Sequence, residues 1–409
     1  MNRPRLQQII AQDQPDTDSG PNQKTRMDVW HRQTVQAGGM VASGSNRNTD
    51  RNSGTRRLRI ATWNICWFAS LFDDQDRLVA DDGSSGLYGV TRRRQAEAIA
   101  RVIARIDADL LAIIEAPNTG KTQSTTRALT RFANTADIRQ TGGLTGFPSE
   151  TEQEIALLFD PARIKARHVP VGAPLGEEAA ATANPDPAPR FDSVYPLDLD
   201  GDGEIDLHRF SKPPLEAEVR IDGHEIPVRL IAVHAKSKAP HGAQSERDAA
   251  RISLLNRRKQ LAQCAWLRAR LDQHLTDGDH VIALGDFNDG PGLDKYERVF
   301  GRSGIEIVAA PDSPASMQMR TPFLVPPRPS RGRPATARFF SRQKDGFINA
   351  LIDFVMLSPD LYRQTRPAWR IWHPFDDAEC YEDERLRRDL LDASDHFPVT
   401  VDLDWPGTL

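Results

Sequence analysis

The feature that most constrains the fold of this chain is a series of short apolar segments that each end in a polar side chain. Residues 58–65, 110–114 and 281–284 are three such segments. Apolar runs of this length, rich in leucine, isoleucine and valine, are typical of buried β-strands. Glu115 follows the second run directly, and Asp286 follows the third after one glycine. The sequence therefore predicts a β-sheet scaffold with polar groups at its strand ends, where a rigid framework can present them.

Helical periodicity and a hairpin signal complete the prediction of fold class. Apolar residues recur at helical spacing over residues 91–106, and a second, longer helix is predicted over residues 245–275. Asp222-Gly223 lies between apolar runs, which is typical of a β-hairpin. Many of the predicted strands follow one another without a helix between them, which disfavours a strictly alternating parallel sheet. We therefore predict an α+β sandwich of two largely antiparallel sheets.

The composition along the chain predicts two regions. Residues 1–57 are rich in Gln, Asn, Arg, Ser, Asp and Gly, with sparse apolar residues that follow no period. Such a segment buries little apolar surface, so we predict a disordered or loosely packed N-terminal arm. Residues 58–409 are predicted to form one domain. Within it, the Pro-rich stretches 170–196 and 310–346 are predicted to be long loops.

Composition also limits the class of protein and its partners. With a net charge of -4, a nucleic-acid partner would have to be held by a local basic patch. The three cysteines, Cys66, Cys264 and Cys380, predict neither a disulfide framework nor a zinc site. No apolar stretch is long enough to span a membrane, and no secretory signal is visible. We expect a monomer that is cytoplasmic by default, although secretion stays open.

A set of polar residues at strand ends could carry chemistry. Singly, each has an ordinary structural explanation, such as a cap, an Asx turn or a hydrogen-bonded core histidine. Together they supply the oxygen ligands that Mg²⁺ prefers and two imidazoles that can transfer protons near neutral pH. Hydrolysis of a phosphodiester needs such groups. The set consists of Asn64, Glu115, His234, Asp286, Asn288, Asp353, Asp395 and His396.

The order of these residues resembles the motif set of the endonuclease/exonuclease/phosphatase superfamily. Gly285-Asp286-Phe287-Asn288 and Ser394-Asp395-His396 are the most specific motifs. The weaker ones are Thr62-Trp63-Asn64-Ile65, the strand that ends at Glu115, Val233-His234 and Ile352-Asp353-Phe354. The resemblance spans residues 58–405. It implies a four-layer α/β/β/α sandwich and a divalent-metal-dependent hydrolase of phosphodiesters.

The resemblance also implies a metal site that takes Mg²⁺, with Mn²⁺ as a substitute. Glu115 would be the principal metal carboxylate, and Asp395 an outer metal ligand. Asn64 would orient this site or the phosphate. One position departs from the family pattern, because Ile114 precedes Glu115 where the family usually has glutamine. The departure leaves the metal carboxylate in place but removes an amide that would support it.

The catalytic roles implied by the resemblance fall on five residues, of which Asn288 would contact phosphate or metal. Asp286 would position or deprotonate the attacking water, with Asn288 beside it. Asp353 would orient His396 in a carboxylate–imidazole pair. His234 would bind phosphate or act at the leaving group. The general base stays open between Asp286 and His396.

Basic residues near the predicted site bear on the class of substrate. His234-Ala235-Lys236-Ser237-Lys238 resembles a signature of bacterial nuclease-like members of the superfamily, as does Lys212-Pro213-Pro214-Leu215 before the preceding strand. Lys236 and Lys238 could neutralise backbone phosphates. The segment 320–344 is a second possible polyanion contact, although a solvated loop explains it equally well. Its cations are Arg320, Arg328, Arg331, Arg333, Arg338, Arg342 and Lys344.

These observations predict a Mg²⁺-dependent nuclease that cleaves DNA or RNA. A lipid-headgroup or inositol-phosphate phosphoesterase is the first alternative, and a non-catalytic nucleic-acid-binding module is the second. No clear aromatic or amphipathic membrane element is visible in the sequence, and no aromatic pattern argues for base stacking.

A possible calcium loop lies between Asp198 and Asp206, where carboxylates alternate around a glycine. The twelfth position of that loop is Arg209, where an EF-hand requires a bidentate glutamate. A tight acidic turn is therefore the preferred interpretation, and Ca²⁺ binding the less favoured one.

Overall fold

The computed structural model of the chain describes residues 55–180, 187–199, 201–292, 298, 300–324, 334–341 and 345–406. Thr55–Leu409 forms one compact unit. Residues 1–54, which make up most of the predicted N-terminal arm, lie outside the described residues, so the arm stays a prediction. The first strand begins at Thr55, three residues before the predicted start at Leu58.

Strands and helices alternate irregularly along the described residues. The strands are β1 Thr55–Asn64, β2 Leu110–Ala116, β3 Gly142–Thr145, β4 Glu154–Phe159, β5 Ile164–His168, β6 Tyr195–Leu197, β7 Asp206–His208, β8 Leu215–Ile221, β9 Val228–His234, β10 His280–Asp286, β11 Ala337–Ser341, β12 Gly346–Ala350, β13 Asp353–Leu357, β14 Ala368–Ile371 and β15 Val399–Pro406. The helices are α1 Arg92–Ile106, α2 Thr125–Thr135, α3 Glu177–Ala180, α4 Glu246–Thr276, α5 Gly304–Ala309, α6 Pro359–Thr365, α7 Ala378–Glu382 and α8 Glu384–Ala393.

Two large sheets form the scaffold. The first contains six strands in the order β14-β15-β1-β2-β4-β3, and the second contains five in the order β13-β10-β9-β8-β5. Within these two sheets, β1 with β2 and β9 with β10 pair in parallel, and the remaining neighbours pair antiparallel. The predicted fold class, two largely antiparallel sheets, is confirmed.

Alternation along the strands divides the core into layers. In β1, Ala61 and Trp63 point into a cluster shared with α1, α2 and α8. Leu58 and Ile60 point the other way, into a cluster that both sheets build together. The outer face of the second sheet packs on α4 through Trp266 and its neighbours. Successive side chains of a strand face opposite sides, so each sheet is covered by the other sheet on one face and by helices on the other. The four-layer α/β/β/α sandwich is confirmed.

Side-chain caps fix where the two predicted helices begin. The Thr91 side chain accepts a hydrogen bond from the amide of Arg94 at the start of α1. At the start of α4, the Ser245 side chain accepts a hydrogen bond from the amide of Asp248. Such caps satisfy amides that the first helical turn leaves without a partner. Both helices were predicted within a few residues of their observed bounds.

The long-loop prediction is wrong in part. Helix α3 and the first two residues of β6 lie inside residues 170–196, and the 310–346 stretch contains all of β11. β11 and β12 form a two-stranded hairpin in which Phe340 pairs with Phe347. The hairpin is anchored by the amide of Arg338, which donates to the Asp395 carbonyl at 2.8 Å. The surrounding Pro and Arg residues concealed this short strand, which depends on a tertiary contact.

The acidic segment after Leu197 forms a turn. One carboxylate, that of Asp198, accepts hydrogen bonds from the amides of Gly201, Asp202 and Gly203. This is the geometry expected of an acidic turn. Asp200, in the middle of the segment, lies outside the described residues.

Among the described residues, we find no helix that combines the length and the apolar character needed to cross a bilayer.

Candidate active site

The site forms where strand ends of the two sheets meet. In the second sheet, Asp286 at the end of β10 lies beside His234 of β9 and Asp353 of β13. The first sheet contributes Asn64, which ends β1. Its side-chain amide donates to Asp286 Oδ2 at 3.0 Å and so joins the two sheets. Strand pairing therefore brings residues that are far apart in sequence to one edge of the sandwich.

The motif around Asp286 has a steric basis. Gly285 has a φ of 133°, and a Cβ atom there would lie 2.0 Å from the carbonyl oxygen of Val233. Only glycine fits this approach of β10 to β9. Beyond Asp286, the Asn288 amide donates to Asp286 Oδ1 at 2.8 Å, and the Asn288 side chain donates to the Ala235 carbonyl at 3.0 Å. The Asp286 carboxylate is thus held from both sides.

Asp286, Asp353 and His396 form a buried cluster. One ligand atom from each lies within 4.8 Å of the others. His396 Nδ1 lies 2.9 Å from Asp353 Oδ2, as in a carboxylate–imidazole pair. Burial and the neighbouring Asp353 carboxylate raise the pKa of Asp286 to about 7. Burial opposes charge on His396, but the Asp353 carboxylate outweighs it and raises the pKa of the imidazole to about 10.

The serine of the Ser-Asp-His motif is a structural link. The Ser394 hydroxyl donates to the Asn64 carbonyl at 2.8 Å. It also accepts hydrogen bonds from the amides of Cys66 and His396, both at 3.1 Å. This hydroxyl therefore fixes the end of β1 to the segment that precedes β15, and with it the position of His396.

His234 lies among cations. Lys212 Nζ is 3.2 Å from His234 Nδ1, and His234 Nε2 is 3.7 Å from Asp286 Oδ2. Burial lowers the pKa of His234 well below its usual value, and the charges of Lys212, His396 and Lys236 act in the same direction. The neutral ring can therefore accept a hydrogen bond from Lys212. Sequence analysis noted Lys212 only as part of a motif and did not assign it to the site.

Glu115 occupies an irregular position in its strand. It has a φ of 65° and lies at a shift in register between β2 and β4. Bulges of this kind re-aim a side chain next to a site. Glu115 Oε2 accepts hydrogen bonds from Gln153 Nε2 at 3.0 Å and from the Trp67 amide at 3.2 Å. Gln153 thus supplies an amide contact to the carboxylate that Ile114 cannot make, and sequence analysis did not find it.

Asp395 faces the same edge of the first sheet. Its carboxylate hydrogen-bonds the Cys66 thiol. Burial raises the pKa of that thiol well above its usual value, and the charges of Asp395 and Glu115 add to the effect. Cys66 therefore stays protonated at neutral pH. Its neutral thiol adds no negative charge beside Asp395 and Glu115.

The two predicted phosphate-binding lysines have different surroundings. The charge of Lys236 acts on both His234 and Lys212, which places its ammonium near the cluster. Lys238 Nζ instead lies 2.7 Å from Asp289 Oδ1, in an ion pair. Of the basic segment 320–344, Arg320 and Arg338 are described, and its other cations lie outside the described residues.

The oxygen atoms at this edge fit a hard divalent cation. Asn64 Oδ1 and Asp353 Oδ1 are buried, and neither has a hydrogen-bond partner among the described residues. Buried oxygens usually have a partner, so an orphaned pair points to a missing ion or water. The ligand atoms of Asp286, Asp353 and His396 lie close enough together to hold an ion. The oxygens of Glu115, Asn64 and Asp395 are of the type that suits Mg²⁺ or Mn²⁺.

The sequence matches the profile of the Endonuclease/Exonuclease/phosphatase family over residues 61–396. No curated protein matches the chain.

Several solved structures are similar at low identity. An AP endonuclease from Archaeoglobus fulgidus is 12% identical with a TM-score of 0.42, covering 85% of this chain and 99% of its own. An endonuclease/exonuclease/phosphatase from Bacteroides vulgatus is 16% identical with a TM-score of 0.43, covering 86% and 99%. The catalytic domain of human Nocturnin is 14% identical with a TM-score of 0.42, covering 86% and 94%.

Proposed function

Because the chain belongs to the Endonuclease/Exonuclease/phosphatase family, whose members are hydrolases of phosphoester bonds, we propose that it is a divalent-metal-dependent phosphodiesterase that acts on nucleic acid. The observation that carries this proposal is the convergence of Asp286, Asp353 and His396 within 4.8 Å at the junction of the two sheets. Hydrolysis of a phosphodiester requires a base for water and a cation at the phosphoryl group. The cluster offers both, side by side.

The surroundings of the cluster favour Asp286 as the general base. It receives hydrogen bonds from Asn64 and Asn288 that fix its orientation. A base works best when its pKa lies near the working pH, as that of Asp286 does. The Asp353 carboxylate raises the pKa of His396 to about 10, which favours the imidazolium and makes His396 a poorer base at neutral pH. We assign to His396 the stabilisation of negative charge on the phosphoryl oxygens.

The opposite side of the cluster can take the phosphate and the leaving group. Lys212, His234 and Lys236 place two ammonium groups around one neutral imidazole. Cations fixed in a partly buried site stabilise developing charge more strongly than they do in water. Lys212 is positioned to donate a proton to His234, which can pass one to a departing oxygen.

A bound divalent metal would supply Lewis-acid activation of the phosphoryl oxygens and charge neutralisation. Glu115 and Asp395 would hold it, and the buried Asn64 amide oxygen, which has no partner among the described residues, would be a further ligand. Gln153 and the Trp67 amide fix the Glu115 carboxylate for this role.

One panel of substrates tests the proposal. Purified full-length protein with Mg²⁺ or Mn²⁺ is incubated with plasmid, single-stranded DNA, RNA, bis(4-nitrophenyl) phosphate, sphingomyelin vesicles and inositol polyphosphates. We expect hydrolysis of bis(4-nitrophenyl) phosphate and of at least one nucleic acid, and its loss after chelation. Turnover of lipid or inositol substrates alone would contradict the proposed substrate class, and undiminished hydrolysis in excess chelator would contradict the metal requirement.

Two substitutions connect the activity to the site. Asp286→Asn and His396→Ala are each expected to abolish turnover while circular dichroism and thermal unfolding remain close to those of the parent. A correctly folded variant that retained near-native activity would show that the cluster is not the catalytic site.

A further inference from the structure

The β11–β12 hairpin exposes an aromatic surface beside the site. Phe340 and Phe347 pair across the two strands, with ring centroids 5.5 Å apart. They are 56% and 58% exposed, and Phe375 nearby is 42% exposed. Large aromatic side chains left this accessible next to a catalytic cluster commonly mark a binding surface.

Strand alternation separates the hairpin into two faces. Phe339 lies on the inner face, with its ring centroid 5.7 Å from that of His396. Phe340 and Phe347 lie on the outer face together with Arg338, as expected from a period of two residues. The backbone of the same strand is fixed to the site, because the Arg338 amide donates to the Asp395 carbonyl.

The outer face combines aromatic rings with a cation. The Arg338 guanidinium lies 3.8 Å from the centroid of Phe347 and 5.0 Å from that of Phe375. Planar guanidinium groups and aromatic rings both stack on nucleobases, since every base has a π-face. We call the surface formed by Arg338, Phe340, Phe347 and Phe375 the aromatic platform.

We propose that the aromatic platform stacks unpaired bases of a nucleic-acid substrate a few nucleotides from the scissile phosphate. This inference rests on the proposed function and narrows its substrate to nucleic acid with a single-stranded stretch at the site. A base in a duplex is already stacked on both sides, so an intact duplex gains nothing from these rings.

Charge favours a nucleic acid over a membrane as the occupant of the platform. An inserting membrane element presents apolar residues at its tip, whereas residues 342–345, which join the two strands, are Arg-Gln-Lys-Asp. Placing three ionisable side chains in the hydrocarbon region is costly. The Arg338 guanidinium, which lies on the platform, complements a phosphate backbone.

The test separates bases from phosphates. Dissociation constants are measured by fluorescence anisotropy for a single-stranded oligothymidylate and for an abasic oligonucleotide of equal length and charge. Both are measured in an Asp286→Asn background, with and without Phe340→Ala and Phe347→Ala together. We expect the double substitution to weaken binding of oligothymidylate at least about tenfold and to leave binding of the abasic strand unchanged. Phe347→Tyr, which keeps the ring, should retain affinity, and Tyr362→Ala, an exposed aromatic after the far end of β13, should have no effect.

Separate outcomes identify which idea fails. If the wild type does not hydrolyse bis(4-nitrophenyl) phosphate, the proposed function fails. If it does, while the double substitution leaves oligothymidylate binding unchanged or weakens both oligonucleotides equally, the platform does not stack bases. Loss of binding to phosphatidylglycerol vesicles with unchanged binding of oligothymidylate would instead assign the platform to a membrane and overturn the proposal.

Discussion

At the scale of single residues, Asp353 shows how one carboxylate can organise a site. Oδ2 holds the His396 imidazole, while Oδ1 is buried without a partner among the described residues. The contribution of Asp353 to catalysis is therefore the charge state and orientation of its neighbour, which a neutral amide would not preserve.

The substitution Asp353→Asn tests that role. The amide cannot stabilise the His396 cation, so we expect kcat on bis(4-nitrophenyl) phosphate to fall by about 100-fold or more. Asp402→Asn is the matched control, because Asp402 forms an ion pair with Arg59 on β1, away from the cluster. The control should lose stability and keep its kcat. A small effect of Asp353→Asn, equal to that of the control, would assign Asp353 a purely structural role.

Residue types and their order were enough to predict most of the candidate site. Asp286, Asp353 and His396 were all predicted, and the structure brings their side chains together. Gln153 was not found, because its contact with Glu115 depends on how β4 pairs with β2. The ion pair of Lys238 with Asp289 was also unpredictable, since a sequence shows that a cation is present but not which anion it contacts.

At the scale of elements, the contact between β9 and β10 sets the geometry of the site. We expect Gly285→Ala to lower the free energy of unfolding by about 3 kcal/mol or more, because the new methyl group would overlap the Val233 carbonyl. Gly278→Ala is the control variant, because it introduces the strain of a left-handed backbone without the steric clash. Gly278 also has a positive φ, of 77°, but a Cβ there would meet no atom within 4 Å.

Equilibrium urea unfolding compares the two alanine variants. Gly278→Ala is expected to cost about 1–2 kcal/mol, the penalty for a left-handed alanine. Equal losses in the two variants would show that the approach of β10 to β9 can relax, and that the glycine of this motif has no special steric role.

The end of helix α4 makes stability depend on pH. Burial lowers the pKa of His274, whose Nδ1 lies 2.8 Å from Asp279 Oδ2. The unfolded chain binds a proton near pH 6.5, and the folded chain binds it only at lower pH. The contribution of His274 to stability is therefore present above pH 6.5 and is lost as the pH falls through that value.

Replacing His274 removes this contribution to the pH dependence. The free energy of unfolding is compared between pH 7.5 and pH 5.5. We expect its decrease to be smaller in His274→Gln than in the wild type, and the difference between the two decreases to be at most about 1.4 kcal/mol. Urea unfolding at the two pH values measures the difference. If the free energy of unfolding changed equally with pH in the two proteins, His274 would not be a source of the pH dependence of stability.

Elements with strong local signals were predictable, and those that depend on tertiary contacts were not. The period of α1 and the apolar run of β10 are local properties of the sequence. Strand β11 is different, because its neighbours in sequence are proline and arginine. Its pairing with β12 and its hydrogen bond to Asp395 depend on the rest of the fold.

At the scale of the whole molecule, a net charge of -4 opposes the approach of any polyanion. Binding then depends on local cations, and Lys236 and Lys238 differ in what they can offer. Lys236 adds its charge to that of Lys212 beside the site. The charge of Lys238 is already compensated by Asp289.

Salt dependence distinguishes the two lysines. We expect Lys236→Gln to reduce the slope of log Kd against log salt for a nucleic acid by about one, because one phosphate contact is lost. Lys238→Gln should change the slope less. The measurement uses the Asp286→Asn background to prevent cleavage. An unchanged slope for Lys236→Gln, or equal changes in both variants, would contradict the distinction.

The position of β15 has a consequence for the chain as it is made. β15 is the last strand described, yet it lies inside the first sheet, between β14 and β1. His396, which belongs to the proposed catalytic cluster, comes three residues before β15 begins. A ribosome that has synthesised β1 to β14 therefore carries a chain whose first sheet is split and whose active site lacks its cation. Under the proposed function, the chain would thus remain inactive beside its own messenger RNA until translation has passed residue 406.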